Sequence, residues 1–340
     1  MALAPISQSP FFLSRTPART PGQRHTQEGP EPMTPKTLRR TLATLTTTLA
    51  CMIAQPALAW GELGHRTVGE IAYANVTPAV KAQIDALLKN EAAMGTPECK
   101  LHSLSDAATY PDCLRANSWR WGYTFPWHYQ DIEVEKPFDI KEGCSNGNCV
   151  TAQIARTRRI LADTSLPAPV RMEALIFLTH FVGDLHQPLH AAEHDHDSGG
   201  NNVIVTNVPS PPYIIATIPP TVVDNSAKPA NLHSVWDTVV VERANALGHL
   251  PPVRVYSDND KAKIAGGEVA DWALESWTIA HDVVYPQVFG HVPVAGETTP
   301  KSVTLSDADL DHDADIAAKR LLQGGLRLAR VLDEALTPRG

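Results

Sequence analysis

Two stretches with helical periodicity each carry a histidine four residues before an aspartate. His180 precedes Asp184, and His233 precedes Asp237. On an α-helix, residues four apart lie on the same face, so each pair would present an imidazole and a carboxylate together. Both groups are common zinc ligands in proteins. One such pair is equally consistent with chance or with a surface hydrogen bond, but two pairs in one chain favour metal binding.

A proline and a third histidine follow the first pair. Pro188 stands four residues after Asp184 and two residues before His190. Proline ends or kinks a helix because it lacks the backbone N–H and its ring clashes with the preceding turn. We therefore expect the helix to end near Pro188 and His190 to point toward a neighbouring metal site.

The first 59 residues have the features of a secretory leader rather than of a folded domain. Residues 33–59 contain a basic stretch, an apolar run too short to cross a bilayer and the small-x-small signal Ala57-Leu58-Ala59. Met33 is a candidate initiator. We expect cleavage before Trp60 and a secreted or periplasmic protein. The alternative is an anchored N-terminal helix.

Cleavage before Trp60 would give this residue a free α-amino group. The pKa of such a group is about 7.7–8.0 in reference peptides, so it is largely available to a metal near neutral pH. The amino nitrogen and the carbonyl oxygen of Trp60 can form a five-membered chelate. His65, five residues further on, can complete the site.

Four cysteines remain after removal of the leader, which contains Cys51. An even number of cysteines in an exported protein predicts disulfide bonds. The short, turn-rich loop between Cys144 and Cys149 favours a local bridge there, which leaves Cys99 with Cys113. The sequence does not exclude the other connectivities.

The chain is acidic, with a formal net charge of −8, which becomes −12 without the leader. A protein that binds nucleic acid through a broad basic surface has the opposite balance. If this chain acts on phosphates, bound cations must supply positive charge locally.

Helical periodicity dominates the rest of the sequence. It covers residues 65–75, 77–90, 150–163, 168–186, 232–246, 260–285 and 305–335. The only strand-like part is 203–223, where proline residues interrupt two apolar runs and a single hairpin is expected. We predict a mainly α-helical fold and one mature domain over 60–340.

Six blocks, in this order, resemble the single-strand-specific zinc nucleases of fungi, plants and bacteria, which share their fold with bacterial zinc phospholipases C. They are Trp60-Gly-x-x-Gly-His65, Tyr110-Pro-Asp112-Cys-Leu-Arg115, Trp127-His128-Tyr129, His180-x-x-x-Asp184-x-x-Gln-Pro-Leu-His190, Gly199-Gly-Asn201 and Asn231-Leu-His233-Ser-Val-Trp-Asp237. The resemblance implies a single-domain, mainly helical fold with one small hairpin, and three zinc ions.

The resemblance also implies which residues bind each ion. One zinc would be held by Asp112, His128, His180 and Asp184. The second would be held by the amino and carbonyl groups of Trp60, by His65 and by Asp184, which would then bridge two ions. The third would be held by His190, His233 and Asp237.

Substrate contacts follow from the same resemblance. Asp112 would orient the attacking hydroxide and Arg115, three residues on, would neutralise phosphate charge. Asp106 is the other candidate for the aspartate, but the residue at the equivalent offset from it is a threonine.

The base-binding pair implied by the resemblance is Tyr129 and Asp131. An aromatic face would stack on the base and a carboxylate would contact the base edge. The alternative is a core tyrosine and a surface aspartate. Asn201 would help to hold the phosphate or the metal ligands in place.

The expected activity is hydrolysis of single-stranded DNA and RNA, and of 3′-nucleotides, by a hydroxide that bridges two zinc ions. The products would be 5′-phosphorylated. We expect a monomer without stable membrane association. The alternatives are a zinc phospholipase C and a non-catalytic zinc-binding protein. The loop His194-Asp195-His196-Asp197 looks rich in metal ligands, but we expect it to be solvated.

Overall fold

The computed structural model describes residues 60–209, 213–215, 221–223 and 229–337, and the predicted leader lies outside them. Within these residues the fold is mainly α-helical, as the sequence predicts. None of the helices formed by the described residues is both long enough and apolar enough to cross a membrane.

The helices fall into two groups along the chain. The first group is α1 (Glu62–Asn75), α2 (Pro78–Leu88), α3 (Leu104–Cys113), α4 (Ser118–Trp121), α5 (Val150–Ala162) and α6 (Ala168–Asp184). The second group is α7 (Leu232–Ser234), α8 (Val240–Ala246), α9 (Asp258–Ile264), α10 (Val269–Ile279), α11 (Tyr285–Phe289) and α12 (Asp307–Leu336).

Tighter and wider turns connect or extend these helices. The 3₁₀ segments are Glu91–Met94, Leu114–Asn117, Gly122–His128, Ser145–Gly147 and Pro188–His190. Two π-helical turns, Val235–Val239 and Ala280–Val284, join α7 to α8 and α10 to α11.

The long helix α12 organises the core. It begins with a capping box, in which the Ser306 side chain accepts from the Asp309 N–H and Asp309 accepts from the Ser306 N–H. It packs against α1, α5, α6 and α8. Gly325 allows the close approach to α1, because a β-carbon there would lie 2.6 Å from Cγ2 of Ile71. Helix α6 is buried on all sides over its C-terminal half, which is typical of a central helix.

The strands are few and short. They are β1 (Ile204–Pro209), β2 (Tyr213–Ile215), β3 (Thr221–Val223), β4 (Pro229–Asn231) and β5 (Ser302–Val303). Strand β1 lies between β4, to which it is antiparallel, and β5, to which it is parallel. Strands β2 and β3 form a separate antiparallel hairpin. A hairpin is present, but the expected pairing was wrong: the two apolar runs, now β1 and β2, do not pair with each other.

Two helical features differ from the sequence prediction. Helix α3 was not predicted, since it is short and contains Pro111. The single helix expected over 260–285 is divided into α9 and α10. Gly267, with φ of +80°, lies at this break, because glycine adopts positive φ without steric cost.

Both local disulfides favoured by the sequence are present, Cys99–Cys113 and Cys144–Cys149. The first ties the end of α3 to the loop before it, next to Asp112. The second closes the loop that precedes α5, whose first N–H, at Val150, donates to the carbonyl of Tyr129. Each bridge therefore braces backbone beside a predicted site residue.

Candidate metal centre

The carboxylate of Asp184 lies among three histidine rings in the middle of the helical core. Asp184 and His180 are one turn apart on α6, and His65 is on the first turn of α1. His128 ends the 3₁₀ segment before Tyr129. One oxygen of Asp184 is 3.3 Å from Nε2 of His65. The other is 3.2 Å from Nδ1 of His128 and 3.3 Å from Nε2 of His180.

Protein contacts alone do not satisfy the buried polar atoms of this group. Asp184 is fully buried, and neither of its carboxylate oxygens has a hydrogen-bond partner among the described residues, nor does either nitrogen of His65. Burial raises the pKa of Asp184 well above its usual range and lowers the pKa of His65 well below its usual range. Buried polar atoms without partners are costly. A divalent cation would satisfy them, because carboxylate and imidazole are its natural ligands.

The neighbouring backbone leaves room for this arrangement. Gly183 precedes Asp184 on α6, and a β-carbon there would lie 3.0 Å from Nδ1 of His65.

The ring of His180 is oriented by a backbone hydrogen bond. Its Nδ1 is 2.6 Å from the carbonyl of Ala108 on α3 and must donate to it. The Nε2 lone pair of His180 is thereby directed at the centre of the group, which is how metal-binding histidines are usually oriented.

Asp112 lies on the more exposed side of this group. Its carboxylate oxygens lie 3.9 Å from Nε2 of His65 and 3.8 Å from Nε2 of His180. The Asp112 side chain is 15% exposed, whereas that of Asp184 is not exposed at all. A substrate can therefore approach the centre beside Asp112.

The structure separates the two aspartates that the sequence offered for this position. Asp112 accepts a hydrogen bond of 3.1 Å from Nε of Arg115. Asp106, one and a half turns earlier on α3, accepts from Nη1 of Arg66 at 2.9 Å. Arg66 lowers the pKa of Asp106 against the opposing effect of burial. Asp106 is therefore engaged in an ion pair of its own.

A second group consists of His190, His233 and Asp237, all buried. Nε2 of His233 is 3.5 Å from one oxygen of Asp237, and Nε2 of His190 is 3.9 Å from the other. The ligand atoms of this triad lie within 4.8 Å of one another, as do those of two triads in the first group. The structure thus brings together every predicted metal-binding side chain.

The two rings of the second group face each other with their lone pairs. Nδ1 of His190 donates to the carbonyl of His128 at 2.7 Å, and Nδ1 of His233 donates to the carbonyl of Gly199 at 2.7 Å. In neutral rings the proton is then on Nδ1, so the two Nε2 atoms, 3.1 Å apart, have no proton between them. Two nitrogens on a tetrahedral zinc ion are about 3.3 Å apart. A cation between the rings would therefore replace repulsion by coordination.

Local structure fixes the His233–Asp237 pair. Asn231 caps α7 by accepting from the Ser234 N–H, and the Ser234 hydroxyl accepts from the Asn231 N–H. Gln187 donates to Asp237 at 2.7 Å. Gln187 was not among the predicted site residues, although it lies between Asp184 and His190 in the sequence.

Gly199 offers a direct test of this geometry. Its φ is +60°, and a β-carbon would lie 2.5 Å from the carbonyl oxygen of Leu189. We expect Gly199→Ala to shift the carbonyl that orients His233 and to weaken metal binding about 10–100-fold, as loss of such supporting contacts does. Gly290→Ala is the matched control, because φ is +77° there and no atom lies within 4 Å. Metal titration of both variants is the measurement, and equal affinities would contradict the expectation.

Trp60 is held at the start of α1 beside the second group. Its side chain is fully buried, and the N–H of the next residue, Gly61, donates to the carbonyl of Asp237. A β-carbon on Gly64 would lie 2.9 Å from Cβ of Trp60. The backbone of Trp60 therefore has a fixed position close to both groups.

The predicted base-binding residues lie at the rim of the centre. Tyr129 follows His128 and is 37% exposed, whereas Asp131 is partly buried. The pKa of Asp131 is raised to about 7, first by burial and then by Glu193 and other carboxylates. This arrangement differs from the alternative, in which the tyrosine would be in the core and the aspartate on the surface.

Asn201 braces the turn beside the second group. Its side-chain amide donates to the carbonyl of Ser198 at 2.8 Å, and its oxygen lies 3.4 Å from Nδ2 of Asn231. It therefore links the Gly199-Gly200 turn to the cap of the helix that carries His233.

The histidine-rich loop is not uniformly solvated. His196 is exposed, but His194 and Asp197 are buried. Nδ1 of His194 is 3.1 Å from Glu135 and its Nε2 is 2.8 Å from the carbonyl of Glu297. The prediction of a solvated loop was wrong for His194 and Asp197. Both nitrogens of His194 have partners within the protein.

Comparison with known proteins adds an independent observation. The profile described as S1/P1 Nuclease matches residues 60–337. Nuclease S1 of Aspergillus oryzae is 25% identical over 298 residues, 83% of this chain and 93% of that protein. Nuclease P1 of Penicillium citrinum is 26% identical over 300 residues, 81% and 97% of the two chains.

A plant protein gives a similar result. Endonuclease 4 of Arabidopsis thaliana is 26% identical over 294 residues, which is 82% of this chain and 89% of the relative. The family profile, which matches residues 60–337, includes every residue of the two histidine–aspartate groups. The chain belongs to the S1/P1 nuclease family and is an enzyme that acts on phosphodiester bonds.

Proposed function

We propose that this protein is a secreted, zinc-dependent nuclease that hydrolyses single-stranded DNA and RNA to 5′-phosphorylated products and removes the phosphate of 3′-nucleotides. The observation that carries the proposal is the pair of buried histidine–aspartate groups. In one of them two imidazole nitrogens face each other without a proton between them. A bound cation would offset the cost of burying such groups, because carboxylate and imidazole are common zinc ligands.

The residues present fit three zinc ions. One ion would be held by Asp112, His128, His180 and Asp184, a second by His65, Asp184 and the α-amino and carbonyl groups of Trp60, and a third by His190, His233 and Asp237. When bound, zinc ions supply Lewis-acid stabilisation of phosphate charge and lower the pKa of water to about 7.

The side chains at the open edge of the centre have separate tasks. The Asp112 carboxylate, which accepts a hydrogen bond from Arg115, would bind zinc and also orient the attacking water. Arg115 would add a positive charge beside the phosphate, on a chain whose formal net charge is −8.

Base recognition would use Tyr129 and Asp131. The exposed face of Tyr129 lies one residue from the ligand His128, so a base stacked on it places its own phosphate near the metal centre. Stacking on an aromatic ring requires a base that has left the duplex, which favours single strands. Asp131 would then contact the edge of that base.

The raised pKa of Asp131 gives a testable consequence. A folded-state pKa of about 7, above the usual value of 3.8, means that ionising this group opposes folding. The penalty is absent below about pH 4, grows between pH 4 and 7 and is complete above pH 7. We expect Asp131→Asn to raise the melting temperature by about 2 °C or more at pH 8 and not at pH 4.

Thermal denaturation at both pH values measures this effect. The same variant should bind nucleotide substrates more weakly at pH 8, so that stability and KM rise together. If the variant is more stable but its KM is unchanged, Asp131 does not contact the base. Equal shifts at the two pH values would contradict the titration argument.

Export and processing are part of the proposal. The S1/P1 family match begins at Trp60, and both disulfides lie in the part of the chain that follows. Disulfides form and persist outside the cytosol in most organisms. These observations support a leader over 1–59 and a mature domain over 60–340.

The function is tested on protein purified after natural cleavage of the leader. Zinc per chain is measured by elemental analysis, and single-stranded DNA, RNA, 3′-AMP and phosphatidylcholine are compared as substrates. We expect three zinc ions and chelator-sensitive cleavage of the first three substrates. Hydrolysis of the lipid alone would move the assignment to a phospholipase C, and about one zinc ion or none would overturn the proposed centre.

A further inference from the structure

The segment between the site residues Asp112 and His128 carries an unusual surface. Trp119 is 84% exposed and Tyr123 is 58% exposed. Tryptophan is highly buried on average, so a ring this exposed is informative. The two exposed rings are four residues apart in consecutive helical segments, and exposed apolar surface of this kind often marks a binding site.

Tyr123 is held in place by neighbouring rings. It stacks against Trp121, with ring centroids 6.3 Å apart, and meets Trp127 edge-on at 5.2 Å. Trp121 is itself buried and contacts Phe177 of α6. Tyr123 therefore offers an exposed ring on a rigid support, so little conformational entropy is lost when a ligand stacks on it.

Positive charge lies beside these rings. The guanidinium of Arg120 is 4.9 Å from the Trp121 ring and donates to the carbonyl of Met94. The guanidinium of Arg156 is 5.2 Å from the Trp127 ring. Glu173 also lies near Tyr123, but burial raises its pKa and so reduces its tendency to be charged. A surface of arginines and aromatic rings on an otherwise acidic chain is complementary to a polyanion that carries flat bases.

A short chain segment connects these rings to the metal centre. Tyr123 and His128 belong to one 3₁₀ segment, along which five residues span about 10 Å. Between them Phe125 lies under the guanidinium of Arg115, at 5.4 Å. A strand whose phosphate is at the metal centre can therefore reach the exposed rings within a few nucleotides.

We propose that Trp119, Tyr123, Arg120 and Arg156, here called the Trp119 patch, bind the nucleotides of a single-stranded nucleic acid that flank the cleaved phosphodiester. The inference rests on the proposed nuclease function and adds a binding surface beyond Tyr129 and Asp131. Long strands would use the Trp119 patch, whereas mononucleotides and dinucleotides would not reach it.

The test compares long and short substrates for Trp119→Ala. Loss of one stacked base weakens binding at least about fivefold. We expect KM for a long oligothymidylate or oligouridylate to rise by that factor and KM for a dinucleotide to stay unchanged. Trp119→Phe should restore most of the binding. Val255→Ala, which alters another exposed apolar residue, should have no effect.

A second measurement does not depend on catalysis. Binding of a labelled, cleavage-resistant phosphorothioate oligonucleotide is followed by fluorescence anisotropy, and Kd should rise for Trp119→Ala by the same factor. An unchanged Kd would overturn the Trp119 patch even if the enzyme is a nuclease. Tryptophan-dependent binding to phosphatidylcholine vesicles in place of oligonucleotide would also overturn it. Failure of the wild-type protein to cleave any nucleic acid, with oligonucleotide binding intact, would instead count against the proposed activity.

Discussion

Asp184→Asn is expected to remove two of the three zinc ions and to lower the rate of phosphodiester hydrolysis by at least about a thousandfold. Asp184 is the only carboxylate among the described residues that lies within 3.5 Å of His65, His128 and His180 together. An amide has the same shape but neither the negative charge nor two acceptor oxygens, so it cannot bridge two cations.

The melting temperature of this variant distinguishes the loss of a metal ligand from misfolding. Asp184 is buried with a pKa raised well above its usual range, so an uncharged isostere relieves a penalty in metal-free protein. The variant should therefore melt no lower than the wild type treated with chelator. Elemental analysis, initial rates and melting temperature are the three measurements.

Asp106→Asn is the matched control for this variant. Asp106 is another buried aspartate close to Asp112, but it is paired with Arg66. We expect this variant to keep its zinc and most of its activity. If Asp106→Asn lost metal and Asp112→Asn did not, the choice between these two aspartates would be reversed.

Extending the mature chain by one alanine before Trp60 is expected to remove one zinc ion and to reduce activity about a hundredfold or more. The extension converts the α-amino group into an amide, which is not a basic metal ligand. The buried indole and the hydrogen bond from Gly61 to Asp237 keep this backbone in place, so the effect would come from the lost amine.

The control uses the same protein with a protease-cleavable extension. Cleavage that leaves Trp60 as the first residue should restore both the zinc and the activity, whereas an extension at the C-terminus should change neither. Full zinc content in the extended protein would show that the amine of Trp60 is not a ligand, and the second ion would then need another donor.

Local spacing in the sequence determined a large part of this protein. His180 with Asp184, and His233 with Asp237, are four residues apart, and helix geometry alone places each pair on one face. The cysteine loops, the end of α6 ahead of Pro188 and the mainly helical class follow from equally local rules. Because these rules involve few residues, one sequence was enough to apply them.

Tertiary structure decided what depends on contacts between distant residues. His65 and Asp184 are 119 positions apart, and only the packing of α1 against α6 and α12 brings them to 3.3 Å. Packing also engaged Asp106 with Arg66 and left Asp112 at the metal centre. Side-chain type and spacing identify which groups can bind a metal, but burial and the direction of lone pairs depend on the whole fold.

The burial of His194 and the exposure of Trp119 likewise depend on tertiary packing. His194 looked solvated in a polar loop, yet it is buried against Glu135 and Glu297, which come from distant parts of the chain. Trp119 and Trp121 are two residues apart, yet α4 directs Trp121 inward and leaves Trp119 in solvent. The sequence by itself determined the ligand pairs and the class of fold. Only the tertiary structure decided which polar groups are buried together and which aromatic rings remain exposed, because both are properties of surfaces that exist only after packing.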